Sequence, residues 1–298
     1  ERNSYLSDKT VEKRENQRAL NAEQDDLNDI IETLKELPPG RVYAGMTGLG
    51  TTPEAGERWG QRYQIGGFPV AHLLVAAGLD VFSTTLHYYS LTFLPGNSFN
   101  ETRLEQYNLF NIRYVVVPEK SQMPSFMKPI KNIGRHQLYQ VETTGYFDLV
   151  GSRLLFTGEK AAFRSAAISW LTSGLPEAKL HPQASINGSP KHQDPEARPR
   201  TVISIPKPRA NQSLVSLDDL NSYVAQASAG PSRGSIVSED VGTNYYSAVV
   251  DVERESILML KTTFHPNWRT DVDGAEAESL MLMPGFMGVQ LPPGEHVV

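Results

Sequence analysis

The sequence predicts an α+β protein: an N-terminal α/β domain followed by an all-β, jelly-roll-like sandwich domain. Three observations carry this. Helical and strand-like segments alternate through residues 22–145, short strand candidates crowd together from residue 201 onward, and Asp273-Gly274 is a two-residue hairpin signal. At 298 residues the chain sits near the size at which single cores divide, so about two domains are expected.

Residues 1–21 form a polar lead-in whose mixed charges at 12–18 show no apolar face, which reads as a solvated segment. From residue 22 the pattern changes. Leu27, Ile30, Ile31, Leu34 and Leu37 recur at helical spacing, and Pro38-Pro39-Gly40 ends the helix. Residues 41–45 read as a short buried strand, and the Gly- and Thr-rich stretch after it as a connecting loop. Gly45, Gly48 and Gly50 match no phosphate-loop pattern, and the carboxylates of Glu54 and Glu57 stand where a phosphate would want cations. Residues 70–77 suggest an apolar helix with His72 among aliphatic neighbours, and 102–110 a short amphipathic one. Residues 111–117, rich in β-branched side chains and closed by Pro118, form the strongest strand of the first half. Another strand is expected at 138–141, after an irregular stretch over 121–135.

The second domain is expected over 146–298. It opens with Tyr146-Phe-Asp-Leu-Val150, takes in one inserted helix at 159–172, and carries an exposed or mobile loop near 176–200. Strand candidates follow at 201–205, 234–239, 245–252, 257–263, 268–272, 276–283 and 288–291, with a helix at 217–227. No fixed repeat is visible, which favours stacked sheets over a propeller.

Composition narrows the function classes. With 39% hydrophobic and 21% charged residues, the chain has an ordinary globular balance. A net charge of −6 without a long basic run speaks against nucleic acid as a partner. The absence of cysteine removes disulfides, thiolate metal sites and cysteine nucleophiles. No signal peptide is apparent at Glu1, and together with the stop at Val298 this suggests a piece of a longer chain. The apolar stretch at 68–82 is too short and too interrupted to cross a membrane.

No catalytic constellation emerges, so the expectation is no catalytic residue, no metal site and no cofactor. Gly230-Pro-Ser-Arg-Gly234 formally matches a nucleophile elbow around Ser232, but the surrounding order is helix then strand, the reverse of what the elbow requires. The seven histidines include no metal-binding pair on one helix face. Asp271 and Asp273 form a DxD that reads more simply as a hairpin turn. Rings with neighbouring basic groups are the candidates for stacking on sugars: Trp59, Arg62, Tyr63, Tyr88, Tyr89 and Trp268. For Trp59, Arg62 and Tyr63, partial burial against the core is the alternative.

The stretch Phe264-His-Pro-Asn-Trp-Arg-Thr-Asp-Val-Asp-Gly274, then Pro284-Gly-Phe and Leu291-Pro-Pro-Gly-Glu-His296, resembles the C-terminal signature of bacterial and archaeal multi-pass membrane proteins of the YfhO type. That group overlaps the 6-pyruvoyl-tetrahydropterin synthase-related membrane proteins. Pro39-Gly-Arg-Val-Tyr43 and Leu109-Phe-Asn-Ile-Arg-Tyr-Val-Val-Val117 are similar to strands of the same family. The resemblance implies a non-catalytic domain on the extracytoplasmic face of the cell membrane, part of a GT-C-like glycosyltransferase that uses polyprenyl-phosphate sugars. Its implied partners are the membrane-embedded half of the same protein and an acceptor glycan or lipid-linked sugar. The alternative is a structural or protein-interaction domain that binds no sugar.

Overall fold

A computed structural model describes residues 2–45, 63–82, 96, 98–151, 153–186, 201–206, 220–224 and 232–298. The molecule is α+β. It divides into two compact units, one drawn from Glu1–His87 with Asn100–Thr143, the other from Tyr88–Phe99 with Thr144–Val298. Among the described residues no helix is long and apolar enough to cross a membrane.

In the first unit the polar lead-in is helical: α1 spans Arg2–Ala22, and residues 9–15 are all exposed. Helix α2, Gln24–Glu36, carries Asp25 and Asp26 in its first turn and Lys35 in its last, each complementing the helix dipole. Leu27, Ile30 and Leu34 are buried on its inner face, each contributing roughly 1.5–3 kcal/mol of apolar burial. They pack on a four-stranded sheet ordered β1-β4-β6-β5, where β1 is Arg41–Tyr43, β4 Ile112–Pro118, β6 His136–Gln140 and β5 Lys128–Ile133. Strands β1 and β4 run parallel and the other pairs antiparallel. Val42, Tyr114, Val116, Ile133 and Leu138 meet α2 from this sheet, together with Val70, Ala71 and Leu74 of helix α3, Val70–Ala76. A small hairpin, β2 (Gln64–Ile65) and β3 (Phe68–Pro69), precedes α3, and helix α4, Leu104–Leu109, leads into β4. Strand β5 lies inside the stretch expected to be irregular. Its residues are exposed except Ile133, and its sequence Lys-Pro-Ile-Lys-Asn-Ile carries no alternating pattern to read.

The second unit is built on a seven-stranded sheet ordered β10-β8-β9-β16-β17-β13-β7. These strands are β7 Phe147–Val150, β8 Leu154–Gly158, β9 Gln183–Ile186, β10 Thr201–Ser204, β13 Ser256–Thr263, β16 Leu280–Leu282 and β17 Phe286–Leu291. The inserted helix, α5 (Lys160–Leu171), proves to be a crossover: it joins β8 to β9, which pair in parallel, and β10 adds a second parallel partner to β8. The remaining pairs are antiparallel.

A three-stranded sheet, β11 (Gly234–Val241), β12 (Tyr246–Val252) and β18 (Gly294–Val297), supplies the sandwich layer. Ala248, Val250 and Val252 of β12 share a core cluster with Phe147, Leu149, Leu258, Val289 and Leu291 of the larger sheet. The hairpin of β14 (Thr270–Val272) and β15 (Ala275–Ala277) turns at Asp273 and Gly274, whose φ values of 53° and 82° are both positive, as a type I′ turn requires.

Part of the loop expected over 176–200 is strand. Residues 183–186 form β9, between β8 and β16, and 187–200 lie outside the described residues. Four residues that include Gln183 and Ser185 are too few and too polar to show a strand period. The expected strand over 276–283 is likewise two strands, β15 and β16, in different sheets.

Candidate functional site

Of the six residues expected to contact sugar, Trp59, Arg62, Tyr88 and Tyr89 lie outside the described residues. The two that are described have opposite environments. Tyr63 is buried in the first unit, 4% exposed, so its ring is core and is not offered to a ligand. Its hydroxyl makes a short hydrogen bond to Nδ1 of His136, the first residue of β6, and the two rings stand 5.8 Å apart. On the far side, His136 Nε2 lies 3.1 Å from Glu23 Oε2 but off the line of a good hydrogen bond. Arg135 Nε donates to the same carboxylate oxygen at 2.7 Å, and its Nη2 to the Gln64 carbonyl at 3.0 Å.

Burial and the adjacent Arg135 cation hold the His136 pKa below its ordinary value, with Glu23 partly offsetting them. Burial raises the Tyr63 phenol. Glu23, His136 and Tyr63 therefore line up like a proton relay, but its end is a buried phenol held in its protonated form, with no surface from which to attack a substrate. The arrangement ties the β2–β3 hairpin to the start of α2 and to β6.

Trp268 is half-buried, and it stands at the outer end of a row of rings in the second unit. Its centroid is 5.9 Å from that of Tyr246, which is 5.4 Å from that of the buried Tyr146. A tight turn sets the indole: Trp268 N donates to His265 O at 3.1 Å, and Asn267 N to His265 Nδ1 at 3.2 Å. His265, Pro266, Asn267 and Arg269 are exposed around it. A partly exposed indole supported from below, with imidazole, amide and guanidinium groups at its rim, is the type of surface on which a sugar ring stacks and hydrogen-bonds.

Two polar networks in the same unit have structural work. Lys261, on β13, is fully buried; its Nζ donates to Thr144 Oγ1 at 2.8 Å and to Gly145 O at 2.9 Å. Thr144 Oγ1 in turn donates to Asp148 Oδ2 at 3.3 Å, and Lys179 Nζ to Asp148 Oδ1 at 2.8 Å. A buried cation needs such acceptors, and an amine bonded this way inside the sheet is not presented as a nucleophile. His181 packs on Trp170 of α5 at 5.0 Å and donates from Nδ1 to Met283 O at 2.8 Å, while Trp170 Nε1 donates to Leu180 O at 2.9 Å. Burial lowers the His181 pKa to about 4, so the ring is neutral.

The DxD is a turn. Asp273 Oδ1 accepts from Val297 N at 2.9 Å, Asp273 N donates to Val297 O at 2.8 Å, and Asp273 Oδ2 faces His296 Nδ1 at 2.8 Å. The separate pieces Val272-Asp-Gly274 and Pro293-Gly-Glu-His296 of the C-terminal signature thus meet as one clasp. Ser232 Oγ accepts from Gly234 N at 3.1 Å just before β11, a turn geometry. Among the described residues no group of three or more His, Asp or Glu side chains converges to hold a metal ion. Comparison with protein-family models, with curated proteins and with solved structures finds no match to this chain.

Proposed function

We propose that the chain is a non-catalytic module of a polytopic membrane protein, an extracytoplasmic domain serving a GT-C-like glycosyltransferase that uses polyprenyl-phosphate sugars. In this reading it lies over the membrane-embedded half of the same protein and contacts the acceptor glycan. The observation that carries the sugar-binding part is Trp268, a half-buried indole propped on Tyr246 and Tyr146 and rimmed by exposed His265, Asn267 and Arg269. The family resemblance of residues 264–296 supplies the setting.

The test is a titration with a panel of neutral and charged oligosaccharides, following the Trp268 indole N–H resonance and the heat of binding. A saccharide in the panel is expected to shift that resonance, and Trp268→Ala to abolish binding while thermal stability is largely kept. If no saccharide moves the indole resonance, the glycan part of the reading fails. A topology reporter fused to this region of the parent protein tests the location, which fails if the reporter is cytoplasmic.

A second reading, a protein-interaction domain without sugar binding, is favoured by the three-stranded sheet. Val237, Val249 and Val297 are 62%, 36% and 54% exposed on its three strands, and Val249 and Val297 are register partners. Such a band of apolar side chains is a common feature of docking faces.

A further inference from the structure

Both ring nitrogens of His296 face oxygens that can only accept. Nδ1 lies 2.8 Å from Asp273 Oδ2, and Nε2 lies 3.0 Å from the Pro292 carbonyl oxygen. A neutral imidazole has one N–H, so its other nitrogen would turn a lone pair toward an oxygen lone pair. Only the imidazolium satisfies both contacts. The side chain is well covered, 11% exposed against 50% for Asp273, so water does not readily replace a lost partner.

Among the described residues the elements around the ring add no competing cation. From the hairpin comes Asp273; from the approach to β18, the Pro292 carbonyl. Strand β12 places Val250 opposite His296, and its Asp251 pairs with Glu295, on the opposite face of the sheet by strand alternation. Asp271 and Glu276 pair with each other further along the hairpin.

We propose that His296 is a proton-operated latch: as an imidazolium it fastens the β14–β15 hairpin to the last strand, and on deprotonation that fastening loosens. Asp273 is bonded to Val297 through its backbone and its other carboxylate oxygen, so the latch adds to contacts that already bring the turn to the strand edge. The hairpin begins two residues beyond Trp268, so the latch also governs how firmly the segment carrying that indole is anchored. This proposal does not depend on saccharide binding and is tested without a ligand.

The sign follows from linkage. The hydrogen bond to Asp273 raises the His296 pKa above its ordinary 6.5, so the latch is complete below that value and weakens as pH rises through the raised one, when the charge pairing and one of the two N–H donors are lost. Imidazole carbon–proton resonances followed from pH 5 to 9 should give His296 a midpoint above 6.5, and Asp273→Asn should bring that midpoint down. Amide hydrogen exchange of residues 270–277, corrected for the intrinsic pH effect, should be about two- to fivefold less protected above the midpoint than below it, the range of a partly exposed charge pair. His296→Gln should remove this pH response. A midpoint at or below 6.5, hairpin protection that is independent of pH, or an unchanged response in His296→Gln would each overturn the proposal. Should Asp273→Asn fail to fold, the wild-type midpoint and exchange decide the matter.

Discussion

Glu239 accepts from two consecutive backbone amides with one carboxylate. From β11 its two carboxylate oxygens accept from Tyr146 N at 3.0 Å and Phe147 N at 2.8 Å, where the larger sheet's edge strand β7 begins. The site needs a glycine beside it. Gly145 has φ +87°, and a Cβ there would overlap the Glu239 carboxylate. Glu239→Ala should cost about 1–3 kcal/mol, the penalty of removing a carboxylate that accepts from two backbone amides. Gly145→Ala should cost at least about 1–2 kcal/mol from its left-handed backbone alone, with the overlap added. Denaturant midpoints of the two single variants and the double variant check this. The double should lose less than the sum, because truncating Glu239 removes the overlap. None of this can be read from the sequence, since Glu239 and Gly145 are 94 residues apart and neither sits in a motif.

At the scale of the element, what was legible depended on whether a residue's surroundings are local. The apolar face of α2 and the β-branched run of β4 announce themselves, because each buries a periodic set of side chains. Asp273-Gly274 was equally legible, since a type I′ turn constrains its own two residues. Gly274 has open space around a would-be Cβ, so Gly274→Ala tests backbone conformation without a clash. It should cost about 1 kcal/mol, visible as a lowered unfolding midpoint, and Gly274→Asn should cost less because asparagine tolerates positive φ. Strands β5 and β9 carry no local strand signal, because their conformation comes from the strands they pair with, β6 and β8. The same distinction runs through the candidate site. Tyr63 and Trp268 look alike in sequence, as rings near an arginine, and only the partners His136 and Tyr246 separate a core ring from a surface one.

Across the whole molecule, each unit keeps a buried neutral histidine, His136 in the first and His181 in the second. Both have folded pKa values below the ordinary 6.5, so below that pH the unfolded chain takes up protons that the folded one resists. Stability should therefore fall as pH drops from 6.5 toward about 4, with His181 contributing on the order of 3 kcal/mol. Denaturant unfolding at a series of pH values checks this: His181→Gln should flatten the acid limb while lowering stability at neutral pH through loss of its packing on Trp170. His296, whose pKa moves the other way, acts on the alkaline side, so His136 and His181 below and His296 above bracket the pH of maximum stability.

The clasp at Asp273 also bears on assembly. Strand β18 ends its sheet, and Val297 directs its amide and carbonyl away from β12, the side on which a further strand would add. Both groups are already taken by Asp273, so the hairpin turn blocks the edge at Val297, where another chain would otherwise find a template on which to extend it.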